Sequence, residues 1–183
     1  MTVNGGQPRV PRVNGRWHRA ALGIFLFIVL AHWAEHIVQA VQIWGLDWPR
    51  PKARGLLGMP FPRLVTKEWL HYGYALIMLI GFIALRKGFV GRASGWWTAA
   101  LIIQVWHHFE HLLLLIQALA HRNLFGKPVP TSILQLLYPR VELHLFYNTV
   151  VFLPMVVAMF LHLRPSRREY ELMSCSCLAA ARA

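Results

Sequence analysis

Four stretches of this chain stay apolar for about the 20 residues that a helix needs to cross roughly 30 Å of hydrocarbon. They cover about 20–45, 69–85, 96–120 and 143–163. The pattern predicts an all-α integral membrane protein of four transmembrane helices. Composition points the same way, because 56% of the 183 residues are hydrophobic and only 14% are charged. A soluble domain of this length carries far more charge. Four crossings use up the chain, so the expected organisation is a basic N-terminal tail (1–19), one transmembrane domain (20–163) and a C-terminal tail (164–183). Val38-Gln39-Ala40 after a basic N-terminus also satisfies the small-residue rule for signal cleavage. Cleavage there would remove a polar motif whose twin stands later in the chain, so the first block is read as a retained helix.

That twin is the most informative feature of the sequence. The first half reads HWAEH at 32–36, Gln42, GMPFP at 58–62 and LHYGY at 70–74. The second reads HHFEH at 107–111, Gln117, GKPVP at 126–130 and LHLFY at 143–147. Each half thus carries H-x-x-E-H-x(5)-Q, G-x-P-x-P and L-H-x-x-Y in the same order, at offsets of 75, 68 and 73 residues. Length changes fall in the connections. The chain therefore reads as a tandem duplication of a two-helix unit, repeat one about 20–86 and repeat two about 95–163. A two-helix unit returns to its starting side, so the copies are parallel repeats related by a pseudo-two-fold axis along the membrane normal. Proline fixes φ and glycine tolerates positive φ, so G-x-P-x-P predicts a stiff turn before the second helix of each unit.

The net charge is +12, yet all 19 basic residues lie outside the apolar blocks. This suits lipid headgroups, and with no basic helix or aromatic RNA motif it excludes nucleic acid as a partner. Eleven cations fall on the side of the termini and the 86–92 turn, against eight in the two longer connections. The bias predicts both termini in the cytoplasm. Cys175 and Cys177 stand in a tail that reads as disordered, where a Cys-x-Cys is expected to be bland.

The chemistry lies in the polar residues of the apolar blocks. An ionisable side chain at the bilayer centre costs about 2.5–3.5 kcal/mol. His32, Glu35 and His36 span an arc of about 100° on one helix, and His107, Glu110 and His111 repeat that arc on another. Gln42 and Gln117 extend the same stripes, whereas His108 lies about 60° off its own. His71 shares a face with Tyr74, and His144 with Tyr147 and Asn148. Together the stripes place six histidines and two glutamates in one bundle core, displaced toward the G-x-P-x-P connections. Histidine and carboxylate ligands are how four-helix bundles build dinuclear iron or manganese centres. Glu142, in a first helical turn, is explained by the helix dipole, and Glu68 is a weaker candidate than Glu35 or Glu110. Trp33, Trp69, Trp97 and Trp106 read as interface or packing aromatics.

H-x-x-E-H also occurs in soluble zinc peptidases, but there as one copy in a water-exposed domain. The expectation is a membrane oxidoreductase of the hydroxylation or desaturation class, acting on a hydrophobic, lipid-like substrate drawn from the bilayer. Its metal would be two divalent ions, iron first, with manganese, copper or zinc as alternatives. His32, His36, His71, His107, His111 and His144 would be ligands, and Glu35 and Glu110 ligands or bridges. Tyr74 and Tyr147 would be supporting donors. No flavin, nicotinamide or Fe–S motif is present, so electrons would come from an external donor. The alternatives are a b-type haem protein with His36 and His111 as axial ligands, and a metal or proton transporter. The topology is directly testable: reporters fused after Arg92 and after Ala183 should both read cytoplasmic. A signal from the opposite side at either position would overturn the arrangement.

Overall fold

The computed structural model describes residues 11–179, which form helices and connections with no strand. Helix α1 (His18–Ala40) runs on as a π-helical turn, Val41–Gly45. A single turn, α2 (Pro62–Val65), precedes α3 (Glu68–Leu85). Then come α4 (Gly91–Ala120), α5 (Arg140–Leu163) and the short α6 (Arg167–Leu172). Four of these helices, α1 with its π turn, α3, α4 and α5, are long and apolar enough to cross a membrane. Their outward faces carry large exposed apolar side chains, among them Ile24, Phe27, Ile80, Ile102, Leu119 and Phe160. An apolar surface of that extent is consistent with a membrane protein.

The helices pack as a ring in which α4 touches α3 and α5, and α1 touches the same two. In the half of the bundle nearer the termini the core is apolar. Phe25, Val29, Met78, Phe82, Trp97, Val151 and Met155 are all buried there. The Phe25 ring lies edge-on to Phe82 at 5.2 Å, and the Trp97 indole donates to the Phe82 carbonyl at 2.9 Å. A β-carbon at Gly81 would collide with the Phe25 ring, so glycine sets how closely α3 approaches α1.

The first and last described segments meet at that end of the bundle. Asn14 donates to the Ala84 carbonyl (2.7 Å), and the Ser176 amide donates to the Gly15 carbonyl (3.0 Å). Here the structure departs from the expected disordered tail. Met173, Cys175 and Cys177 are buried against α1, α5 and the 86–90 turn. Residues 1–10 and 180–183, the outer parts of the two expected tails, lie outside the described residues. Helix α4 also begins at Gly91 rather than near 96. The reason is a partner distant in sequence: the Glu169 carboxylate accepts from the Arg92 backbone amide (2.9 Å) and from its guanidinium (2.9 and 3.1 Å). The same carboxylate completes a capping box with Ser166 at the start of α6. A carboxylate at a helix N-terminus is stabilised by the exposed amides and the dipole.

Hydrogen bonds from the Arg92 side chain, then from the Ser166 and Arg92 backbones, hold the Glu169 carboxyl below its ordinary value of 4.5. A carboxyl depressed in the folded state stabilises it above the ordinary value, and that contribution is lost as pH falls. A spin label at position 171 should therefore become more mobile in Glu169→Gln at neutral pH. In the unsubstituted protein its mobility should rise as pH drops below 4.5, while the variant should respond little. Equal mobility in both proteins would show that the clasp does not hold the C-terminal segment.

Candidate metal centre

The opposite half of the bundle holds the polar residues. One helical turn brings the rings of His32 and His36 edge to face at 4.7 Å and 83°. His107 and His111 repeat this on α4 at 4.6 Å and 83°. His144 of α5 stands between the two pairs, 5.2 Å from His36, 5.1 Å from His111 and 5.9 Å from His107. His71 of α3 stacks on His111 and meets His144 edge-on, both at 6.2 Å. The six histidines thus form one continuous layer across four helices. Tyr74 lies against His32 (4.9 Å) and Tyr147 against His107 (4.5 Å). His108 stands apart, against Tyr72 and Phe109.

The backbone orients several of these rings. His71 and His144 each turn Nδ1 onto the carbonyl four residues back, Lys67 at 3.2 Å and Arg140 at 2.7 Å. An imidazole that donates Nδ1–H to a carbonyl keeps its Nε2 lone pair for another partner. Nε2 of His36 and His144, and Nδ1 of His107 and His111, are buried without a hydrogen-bond partner. The donors are spread across the layer. Among the described residues, the one group of three ligand atoms all within 4.8 Å of one another lies elsewhere, at His18, His162 and Cys177.

Glu35 and Glu110 sit at the edge of the layer and face the connections. The Glu35 carboxylate accepts from the Leu56 and Leu57 amides at 3.0 Å. Glu110 accepts from the Ser132 hydroxyl (2.9 Å) and the Leu134 amide (3.0 Å). The glutamines do the same one step further out. Gln42 exchanges hydrogen bonds with the Gly55 backbone, and Gln117 with that of Thr131. In both halves, then, the Glu and Gln of H-x-x-E-H-x(5)-Q fasten the following connection onto the helix that carries the histidines. Hydrogen bonds to a charged acceptor are the stronger kind, roughly twice neutral ones. Two further glutamates on this side have cationic partners. Glu68 makes a two-pronged pair with Arg140 at 2.6 Å, and Glu142 pairs with Arg50 at 2.5 Å.

Two residues at the layer, Gln39 and Ser132, carry no repeated signal in the sequence, whereas Arg140 stands where the first half has Lys67. Gln39 Oε1 accepts from His36 Nδ1–H (2.9 Å), whereas its counterpart 75 residues on is Leu114. Arg140 binds Glu68 and supplies the carbonyl that orients His144. Ser132 holds Glu110. Trp106 donates to the Tyr147 hydroxyl at 2.6 Å.

The two sides of the layer differ in the space beside them. A cavity of about 490 Å³ opens between α1, α3 and the first connection, lined by His32, His36, His71 and Tyr74 with Leu57, Met59 and Val65. The corresponding space beside His107, Glu110 and His111 holds only about 10 Å³. Comparison with known protein families, curated proteins and solved structures finds no match to this chain.

The Glu35 anchor depends on Gly55, whose φ is +74° and where a β-carbon would run into the carboxylate. Gly55→Ala combines backbone strain with loss of that fit, so it should cost about 1–3 kcal/mol. Gly73→Ala, where nothing lies within 4 Å, should change stability by less than about 1 kcal/mol. Unfolding in detergent measures both, and equal stability would refute the anchoring role.

Proposed function

We propose that the chain is a membrane-embedded metal-dependent oxidoreductase, built as a duplicated two-helix unit with its metal centre at the pseudo-two-fold axis. The observation that carries this reading is the convergence of six histidines from four apolar helices into one layer with unpartnered buried nitrogens. Leaving such groups buried and unsatisfied is costly, about 1–3 kcal/mol each. Metal ligation turns the cost into a bond. The layer is wider than one coordination sphere, which favours two ions, and histidine donors suit iron among the first-row metals. When bound, such a centre supplies O₂ activation for attack on unactivated C–H bonds.

The protein's own residues would do the rest. His71 and His144 are oriented by helix carbonyls, and His36 by Gln39. In this reading the six histidines are the ligand set. Glu35 and Glu110, whose oxygens already accept hydrogen bonds from the connections, position that set and place negative charge beside it. The largely apolar cavity would take the hydrophobic substrate and keep bulk water from it; about 300–1,000 Å³ is the usual size for a small-molecule site. Tyr74, on its wall, is placed to hold or give a proton. Reducing equivalents would come from an external donor, and the termini would lie in the cytoplasm, as the charge bias suggests.

Two observations weigh against the other readings. A haem between His36 and His111 would need the space that His144 fills, about 5 Å from both rings. A conduit would need a polar path through the second half of the bundle, where Phe25, Phe82, Trp97 and Met155 close the core. The test is metal content with its dependence on the layer. His36→Ala and His111→Ala should each lower bound iron by about one ion per chain and abolish most activity, whereas His108→Ala should be mild. If bound metal is absent from protein made in metal-replete cells, or is unchanged by both substitutions, the proposal fails.

A further inference from the structure

A second cluster of metal-ligating side chains lies at the other end of the bundle, apart from the histidine layer. His18 opens α1 and His162 stands in the last turn of α5. The C-terminal segment carries Cys175 and Cys177 against them. All four are buried, with exposures of 0%, 2%, 4% and 1% in that order. Ligand atoms of His18, His162 and Cys177 lie within 4.8 Å of one another. The Cys175 sulfur, outside that group of three, is 3.3 Å from His162 Nε2. Both nitrogens of His18 and Nδ1 of His162 have no hydrogen-bond partner.

We propose that His18, His162, Cys175 and Cys177 form a four-coordinate Cys₂His₂ site for zinc, structural in role and independent of the histidine layer. Zinc bonds of about 2.0–2.1 Å to nitrogen and 2.3 Å to sulfur put tetrahedral donors roughly 3.3–3.8 Å apart. The Cys175–His162 separation of 3.3 Å already falls in that range. Two thiolates and two neutral imidazoles balance a divalent charge, which suits a dry site. Four protein donors leave no open position, the mark of a structural rather than catalytic centre. The surroundings are shaped to the donors. Phe89 walls both imidazoles, at 5.4 and 4.7 Å. A β-carbon at Gly88 would collide with the His18 ring. The ion would join the start of α1, the end of α5 and the C-terminal segment, adding to the hydrogen bonds from Ser176 to Gly15 and from Arg19 to Ser176.

The experiment uses the full-length protein in detergent, kept reduced, stripped with chelator and titrated with Co²⁺. A near-ultraviolet thiolate-to-cobalt charge-transfer band should appear and saturate at about one equivalent, and Zn²⁺ should abolish it. The histidine layer has no sulfur, so the band reports this site alone and should survive His36→Ala. Cys177→Ser should weaken Co²⁺ binding at least about 100-fold, beyond the 10–100-fold typical of losing an outer-sphere partner. Cys175→Ser should roughly halve the band, since one of two thiolates is lost. An unchanged band in Cys175→Ser would refute four-coordinate Cys₂His₂ ligation. Gly88→Ala keeps every donor but displaces His18, and should weaken binding without loss of helicity. Should the ligand variants fail to fold, the unsubstituted protein still decides: no thiolate band in its folded, reduced form overturns the proposal.

Discussion

Everything at the histidine layer depends on how its two longer connections are held down. In an apolar bundle the helices have little directional preference for one another, because lipid and side chains are equally apolar. Glu35 and Glu110 supply the direction. Each accepts hydrogen bonds from the following connection, Glu35 from two amides at 3.0 Å and Glu110 from a hydroxyl at 2.9 Å and an amide at 3.0 Å, and Gln42 and Gln117 repeat the grip one step outward. These bonds fix where α3 and α5 re-enter the bundle, and so where His71 and His144 meet the other four rings. The π turn at Val41–Gly45 belongs to the same device, since it carries Gln42 toward Gly55.

The two halves share this device but not its surroundings. Beside His32, His36 and His71 lies a cavity of about 490 Å³, while the second half has about 10 Å³ beside His107 and His111 and a separate space of about 290 Å³ between Leu134, Tyr138, Leu143 and Phe146. The local causes can be named. Ser132 reaches Glu110 with its side chain, where the first connection offers only backbone amides to Glu35. Gly126 takes a positive φ of 66° in its turn, whereas Gly58 does not, and its missing β-carbon instead admits the Arg54 carbonyl.

Much of this was legible in the sequence. The apolar blocks mark the four long helices, and helical spacing puts His32 with His36 and His107 with His111, where the structure has them. What spacing could not reveal is which neighbour a side chain meets. Glu35 and Glu110 share the arc of the histidines, so they read as ligands, yet a carboxylate at the edge of that arc reaches loop amides first. The start of α4 at Gly91 was equally hidden, because its cap is Glu169, 77 residues away. The burial of the cysteines was hidden for the same reason. A Cys-x-Cys in a polar tail carries no periodicity, and its burial beside His18 and His162 appears only once the ends of the chain are folded together.

The placement of the two histidine clusters follows from where polar groups can be tolerated in such a bundle. The middle of the core, from Phe25 and Phe82 to Trp97 and Met155, is filled with large apolar side chains. Buried polar atoms there would lack both water and partners, at about 1–3 kcal/mol each. Toward the connections, loop amides and helix carbonyls become available, and the six-histidine layer uses them. Toward the termini, His18, His162 and the cysteines are buried together beside the 86–90 turn and the C-terminal segment. The apolar middle therefore separates the two clusters, so that a change at one end need not reach the chemistry of the other.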